Sequence, residues 1–371
     1  MKNNKRILII GPHPPLRGGI SEFNYISYKN LKDLCNVFVI SLKKNYPNFL
    51  FPGKSQFIKS RTDDKNFQNF NIYNPFDHKK VIRIINEKEV DTIITTHWTP
   101  VVSFLFGIIN RFSKKSIKKV GIIHNVLPHE RFPFDYPMLK FYLNSLDIAI
   151  TLSKNSTNSL KKICSNNLLI KQLYHPIKNN KILNRDESIK ILKLDSNYRY
   201  ILHFGLVRGY KGLDLLIESM AELVKKNQKL ILLIVGEFYS DKKKYLSQIK
   251  TLGIEKNIKI FDEYMEGNII NHWFSIADLV IQPNKTSSQS GVTALSIGFE
   301  KKIVTTGVGG IGEFISSRNG YICEANVKSM SKVINYALND KNFNFENLKH
   351  LKNKFSWVNY SRKIISIINE V

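Results

Sequence analysis

Short, almost continuously apolar runs alternate along the first half of this chain with stretches whose apolar residues recur every three or four positions. RILIIG (6–11), NVFVISL (36–42), DTIITTH (91–97), KVGIIHN (119–125) and DIAITLS (147–153) are the apolar runs, and each predicts a strand. ISEFNYISYKNLKDL (20–34) and residues 77–89 and 134–146 have the helical spacing. A long irregular segment, 43–75, interrupts the alternation. Strands that are apolar on both sides, separated by helices, predict a parallel sheet covered on both faces.

The pattern then restarts. YRYILHFG (198–205), KLILLIVGE (229–237), NIKIFD (257–262), DLVIQP (278–283) and KIVTTG (302–307) predict strands. GLDLLIESMAELVKK (212–226), residues 239–252 and GNIINHWFSIA (267–277) predict helices. The fold class is therefore α/β, with two successive doubly wound, Rossmann-like domains and a seam near 176–197. Boundaries are set at 1–180 and 181–355, and the tail FSWVNYSRKIISIINEV (355–371) supplies a last amphipathic helix over 356–371. No short tandem repeat is evident.

Composition changes this picture little. The 371 residues are 43% hydrophobic and 23% charged, which is ordinary for a globular protein and enough for two cores. The apolar run in MKNNKRILIIG is too short for a signal peptide, and PVVSFLFGIIN (100–110) is far below the roughly 20 residues that span a bilayer. Cys35, Cys164 and Cys323 are too few and too scattered for a disulfide framework or a zinc site. A cytoplasmic location is the expectation.

The formal charge of +26 is the unusual figure. It attracts polyanions in general: nucleic acid, an anionic membrane face or phosphorylated substrates. Basic pairs run the whole length of the chain, from Lys43-Lys44 to Lys301-Lys302, which reads as lysine decoration of the surface. No nucleic-acid module accompanies them. A peripheral contact with an anionic membrane is placed on the segment 43–75 and the run 101–109, closed by Arg111 and Lys114-Lys115, with a buried core helix plus a loop as the competing reading.

Ligands of parallel α/β sheets bind beyond the carboxyl ends of the strands, so the residues there are the candidates. In FGLVRGYKG (204–212), glycines at 205, 209 and 212 let the backbone approach a ligand. Arg208 and Lys211 then present a planar fork and a point charge just before a helix N-terminus. The alternative is a solvated basic turn. Gly18 and Gly19 open onto a helix in the same anion-facing way. TGVGGIGEF (306–314) adds backbone amides and the carboxylate of Glu313, although a glycine loop alone is equally a tight turn. Glu237, Tyr264, His97 and the stretch from His124 to Glu130 complete the strand-end set. No Asp-x-Asp stands at a strand end, and Asp63-Asp64 reads as a solvated turn, so no essential metal and no cofactor is expected.

These segments resemble the glycosyltransferase family 4 group of the GT-B fold, over nearly the whole chain and in the same order. The resemblance is carried by GPHPPLRGGISEF (11–23), HFGLVRGYKGLDLLIES (203–219), IFDEYMEGNIINHWFSIADLVIQP (260–283) and VTTGVGGIGEFI (304–315). NYPNFLFPGKSQ (45–56) and IIHNVLPHE (122–130) are similar to a bacterial polysaccharide-type subgroup. The resemblance implies an acceptor-side first domain, a nucleotide-sugar donor domain facing it across a cleft, and a last helix crossing back. It implies a retaining, metal-independent transfer of a hexose-like sugar from a nucleotide diphosphate to a glycan or lipid-linked glycan.

By the same resemblance, Arg208 and Lys211 stabilise the leaving phosphate and His124 lies against the sugar. His97, His129 and Glu130 are acceptor-side contacts. The donor contacts implied are Gly18, Gly19, Gly205, Glu237, Tyr264, Ser288, Gln289, Ser290, Gly291, Val292, Thr293, Ser296 and Glu313. One departure stands out. The wider family carries two glutamates where this chain has Ser288 and Ser296, whereas the subgroup's TQSGV-type motif is similar to Ser288-Gln289-Ser290-Gly291-Val292. Ser296 or Glu313 is expected to replace part of the ribose contact. A non-catalytic nucleotide- or glycan-binding relative, and a nucleotide-sugar epimerase of the same fold, are the alternatives.

Overall fold

The computed structural model describes residues 4–46, 51, 53–58, 67–128, 132–164 and 167–370. The chain divides into two compact units, Met1–His175 with Trp357–Val371 and Pro176–Ser356.

In the first unit the elements are β1 (Arg6–Gly11), α1 (Gly19–Leu31), β2 (Asn36–Leu42), β3 (Gln68–Phe70), α2 (Pro75–Glu87), β4 (Thr92–His97), α3 (Pro100–Phe112), β5 (Lys118–Ile123), α4 (Asp135–Leu143), β6 (Ile148–Thr151), α5 (Lys154–Lys161) and β7 (Leu169–Gln172). The seven strands form one parallel sheet in the order β3-β2-β1-β4-β5-β6-β7. The pleat sends Leu8 and Ile10 into one core and Ile7 and Ile9 into the other. That two-sided burial is why the strand sequences are apolar throughout.

The second unit repeats the plan with α6 (Arg185–Ile191), β8 (Arg199–Phe204), α7 (Leu213–Val224), β9 (Leu230–Val235), α8 (Lys242–Thr251), β10 (Ile258–Phe261), α9 (Ile269–Ile276), β11 (Leu279–Gln282), α10 (Gly291–Gly298), β12 (Ile303–Thr306), β13 (Tyr321–Cys323), α11 (Val327–Asn339) and α12 (Glu346–Lys354). Its parallel order is β10-β9-β8-β11-β12-β13. The strand order reverses between β8 and β11, so the carboxyl ends of those two strands form the switch point at which sheets of this kind bind ligands.

The last helix, α13 (Trp357–Asn369), belongs to the first unit. Trp357 and Tyr360 meet Phe23 of α1 edge-on, with ring centroids 5.0 and 5.7 Å away, and Ile364 and Ile368 are buried beneath them. Lys118 Nζ donates to the Ile368 carbonyl at 2.7 Å, which caps the helix end.

The segment read as irregular and the run read in two ways both contain regular structure. The irregular segment contains strand β3, and Asn74 caps α2 by accepting from the Phe76 amide at 3.1 Å. The run 101–109 is the body of α3, whose Val102, Phe106 and Ile109 are core residues, so the run as a whole is not a surface element.

Candidate functional site

At the switch point of the second unit, the loop after β8 (Gly205–Gly212) and the loop after β11 (Pro283–Ser290) are built into each other. The Lys285 amide donates to the Tyr210 carbonyl at 2.8 Å, and the Lys285 ammonium meets Asp214 at 2.6 Å. Gly212 has φ +69°, and a Cβ there would sit 2.0 Å from the Pro283 carbonyl oxygen, so glycine is required on both counts. The β8 loop also pairs with the one after β9: Val207 donates to the Glu237 carbonyl and Tyr239 to the Val207 carbonyl, both at 2.9 Å.

This frame fixes Arg208 and Lys211 immediately before the N-terminus of α7, whose first cap is Gly212. The Arg208 guanidinium lies 5.1 Å from the centre of the Tyr239 ring. Lys211 Nζ reaches back to within 3.4 Å of where a Gly205 side chain would begin. Among the described residues no carboxylate pairs with either cation. Burial, and then the charge of Arg208, pull the Lys211 ammonium down to about 8. Beneath it, His203 is buried in β8 and held near 3 by burial and by the Lys211 charge, so it is neutral. Two cations without a carboxylate partner among the described residues, at the positive end of a helix, are an arrangement suited to an anion.

The N-terminus of α10 is organised by a residue that sequence reasoning did not single out. Gln282, the last residue of β11 and 6% exposed, donates to Ser290 Oγ and accepts from Thr293 Oγ1, both at 2.5 Å. Ser290 in turn caps the helix by accepting from the Val292 amide at 3.2 Å. A polar side chain ending an otherwise apolar strand was the available signal. Ser290 and Thr293 thus spend their hydroxyls on the helix start. Ser296 is fully buried with its hydroxyl donating to the Val292 carbonyl at 2.8 Å, so it does not offer the ribose contact expected of it. Ser288, Gln289 and Val292 are half-buried and Gly291 is exposed at the same edge.

The remaining donor-side candidates lie on neighbouring loops. Glu313, half-buried, sits in the 3-10 turn Ile311–Phe314. Gly309 precedes that turn at φ +59°, and a Cβ there would collide with the Ser287 carbonyl. Glu237 is buried at the end of β9 and Tyr264 is half-buried beyond β10. Among the described residues no three His, Cys, Asp or Glu side chains gather as a metal set.

In the first unit, Gly18 adopts φ +120° at the start of α1, with open space around it and Gly19. The preceding loop is pinned from below: Asn24 donates to the Pro12 carbonyl at 3.0 Å and accepts from Thr96 Oγ1 at 2.8 Å. His124 directly follows β5 at 4% exposure, edge-on to Phe23 at 4.6 Å, and burial with the charges of His175 and His97 holds it near 3. It is a neutral imidazole. His97 corrects its expected role as an acceptor contact. It is fully buried, its Nδ1 pairs with Ser103 Oγ at 2.5 Å, and its Nε2 faces the Val126 carbonyl at 3.3 Å, with Tyr142 stacked on the ring. His97 is a core residue that sets the turn after β4. His129 and Glu130 lie outside the described residues. His13, also fully buried, was missed; it bonds the Gly11 carbonyl at 3.1 Å inside the same loop.

Residues 184–355, essentially the second unit, match the family of glycosyl transferases group 1. Protein CapJ of Staphylococcus aureus is 27% identical over 162 residues, 43% of this chain and 40% of that protein. The lipopolysaccharide 1,2-N-acetylglucosaminetransferase of Salmonella typhimurium is 29% identical over 187 residues, 46% of this chain and 48% of that protein. The matched region thus spans less than half the length of either relative.

The whole chain shares its fold with solved GT-B structures. Anabaena Alr3699/HepE in complex with UDP superposes with a TM-score of 0.76 at 16% identity, over 99% of this chain and 100% of that one. The sucrose-phosphate synthase of Thermosynechococcus elongatus gives 0.77 at 13% identity, over 99% of each chain.

Proposed function

We propose that this protein is a retaining glycosyltransferase that moves a sugar from a nucleoside diphosphate sugar to a glycan or lipid-linked glycan acceptor in bacterial surface polysaccharide synthesis. The observation that carries the reading is the pair Arg208 and Lys211, without a carboxylate partner among the described residues and held at a helix N-terminus beside the switch point of a unit that matches the group 1 glycosyl transferases. Breaking the sugar–phosphate bond builds negative charge on the departing diphosphate. Two fixed cations and the α7 amides stabilise that charge without reorganising. They supply the positive charge that a divalent metal supplies elsewhere, so transfer is expected to persist in excess chelator.

HepE was solved with UDP and with UDP-glucose, which makes a uridine diphosphate sugar the first donor to try. His124 is assigned the sugar-facing position, where a neutral imidazole accepts or donates one hydrogen bond without adding charge. The work is done at the cytoplasmic face of the membrane. The deciding experiment is incubation with a panel of donors and a lipid-linked glycan extract. A new glycosidic product of retained configuration supports the reading. A rearranged sugar nucleotide points to an epimerase, and donor binding with neither product nor donor hydrolysis points to a binding protein.

Two further results are expected of this site. Lys211 is charged below about 8 and neutral above it. A bound diphosphate holds the proton, so UDP binding above that pH must take one up. Affinity then falls by up to about tenfold per pH unit above 8. Calorimetry from pH 7 to 9.5 reads this slope, which Lys211→Arg is expected to abolish. A flat wild-type profile removes Lys211 from the phosphate site.

Gln289 provides the other. If the edge Ser288–Val292 holds the sugar, Gln289→Ala weakens the sugar nucleotide by about 1–3 kcal/mol and leaves free UDP nearly unchanged. Equal weakening of both ligands places this loop at the phosphates instead.

A further inference from the structure

Helix α3 is apolar on both sides. Val102, Phe106 and Ile109 form its buried stripe, each no more than 1% exposed. Val101, Phe104, Leu105, Ile108 and Phe112 follow the helical spacing beside that stripe and are all less buried than it, although Leu105 still packs against the core. The ends of this second row, Val101 and Phe112, are 45% and 72% exposed, and the middle three are half-buried. Neighbouring α4 runs alongside, with Phe141 4.6 Å from Phe104. The segment entering α4 raises three more rings into solvent: Phe132 at 73%, Phe134 at 69% and Tyr136 at 47%.

The exposed charge carried by this segment has one sign. Between residues 100 and 146 the only described carboxylate is Asp135, which is buried and accepts from the Phe132 amide at 2.8 Å. Arg111, Lys114, Lys115 and Lys140 are all exposed. The Arg111 guanidinium carbon lies 3.7 Å from the centre of the Phe141 ring and the group donates to the Phe141 carbonyl, so one cation is fixed among the rings.

We propose that the outer face of α3 and the approach to α4 dock this protein on an anionic lipid bilayer. Exposed aromatic and aliphatic side chains enter the headgroup boundary, and the surrounding cations are drawn to anionic lipids. A helix of 13 residues is far too short to span the roughly 20-residue core, so it lies on the surface. No helix among the described residues is long and apolar enough to cross a membrane. Charge complementarity selects this occupant over a second copy of the chain, which would bring like charges together. The binding needs no sugar donor and does not rest on the transfer reaction.

The test is co-sedimentation of the full chain with vesicles of phosphatidylcholine alone or enriched in phosphatidylglycerol, at physiological salt. Binding is expected on the anionic vesicles only. Phe132→Ser with Phe134→Ser is expected to weaken it at least about tenfold. Lys114→Gln and Lys115→Gln are expected to cost about fivefold each. Tyr336→Ser, an exposed ring on the second unit, serves as the control and should have no effect. Equal binding to both vesicle types overturns the proposal. So does anionic binding that the aromatic pair leaves unchanged, which would be charge attraction alone. Self-association through this face without vesicle binding would overturn it as well.

Discussion

Replacing Arg208 and Lys211 together by alanine is expected to lower turnover at least about a hundredfold, and each single replacement about tenfold or more. Folding should not suffer. Neither cation has a carboxylate partner among the described residues, and they repel one another closely enough to help depress the lysine. Removing two half-buried like charges therefore leaves the melting temperature unchanged or slightly raised. The loss should fall on kcat, because the charge they face grows as the sugar–phosphate bond opens. Initial rates with saturating donor, beside a melting curve for each variant, separate the two effects. Wild-type rates in the double variant would sink the assignment of the phosphate site.

Much of this fold was legible because both sheets are buried on both faces. Ile7 to Ile10 and Tyr200 to Leu202 send successive side chains into opposite cores, so the strands appear as unbroken apolar runs that no surface element imitates. What escaped was short or lay in polar surroundings. Strand β3 has three residues, and β7 is half-buried throughout. Helix α6 is polar enough to pass for a linker, although Arg185 ties it to Asp278 at 3.2 Å.

The site was legible where backbone dictates residue type. Gly212 is read from the sequence because only glycine tolerates both its φ and the Pro283 carbonyl against it. Side-chain roles were harder to read. Ser296 and His97 are polar residues at plausible positions, yet each is consumed by a local bond, to the Val292 carbonyl and to Ser103. Spacing alone does not distinguish a hydroxyl facing a ligand from one bonded back to its own helix. Gln282 shows the converse, a residue that organises the start of α10 from inside the core. Helix α3 was read as either core or membrane surface, and it carries a buried stripe beside a half-buried one whose two ends are exposed.

Gly309→Ala is expected to damage the donor side more than any other single methyl. The residue sits at φ +59°, and an ideal Cβ would lie 1.6 Å from the Ser287 carbonyl oxygen. That oxygen is backbone and has no rotamer to move to. The left-handed conformation adds of order 1 kcal/mol of strain, and the overlap must be relieved by separating the loop after β12 from the loop after β11. Thr306 Oγ1 donates to the Asn284 carbonyl at 2.6 Å across the same seam, so the separation stretches a buried hydrogen bond as well. A total of about 2–4 kcal/mol is expected, which lowers the melting temperature by about 5–10 °C. The shift that UDP-glucose gives to the melting temperature should shrink too, because Glu313 and the edge Ser288–Val292 lie on the two loops forced apart. Gly312→Ala is the matched control. Gly312 is not in the left-handed region, and its Cβ would find ordinary contact at 3.5 Å. A Gly309→Ala protein that melts and answers the donor like the wild type would mean that these two loops are not packed as described.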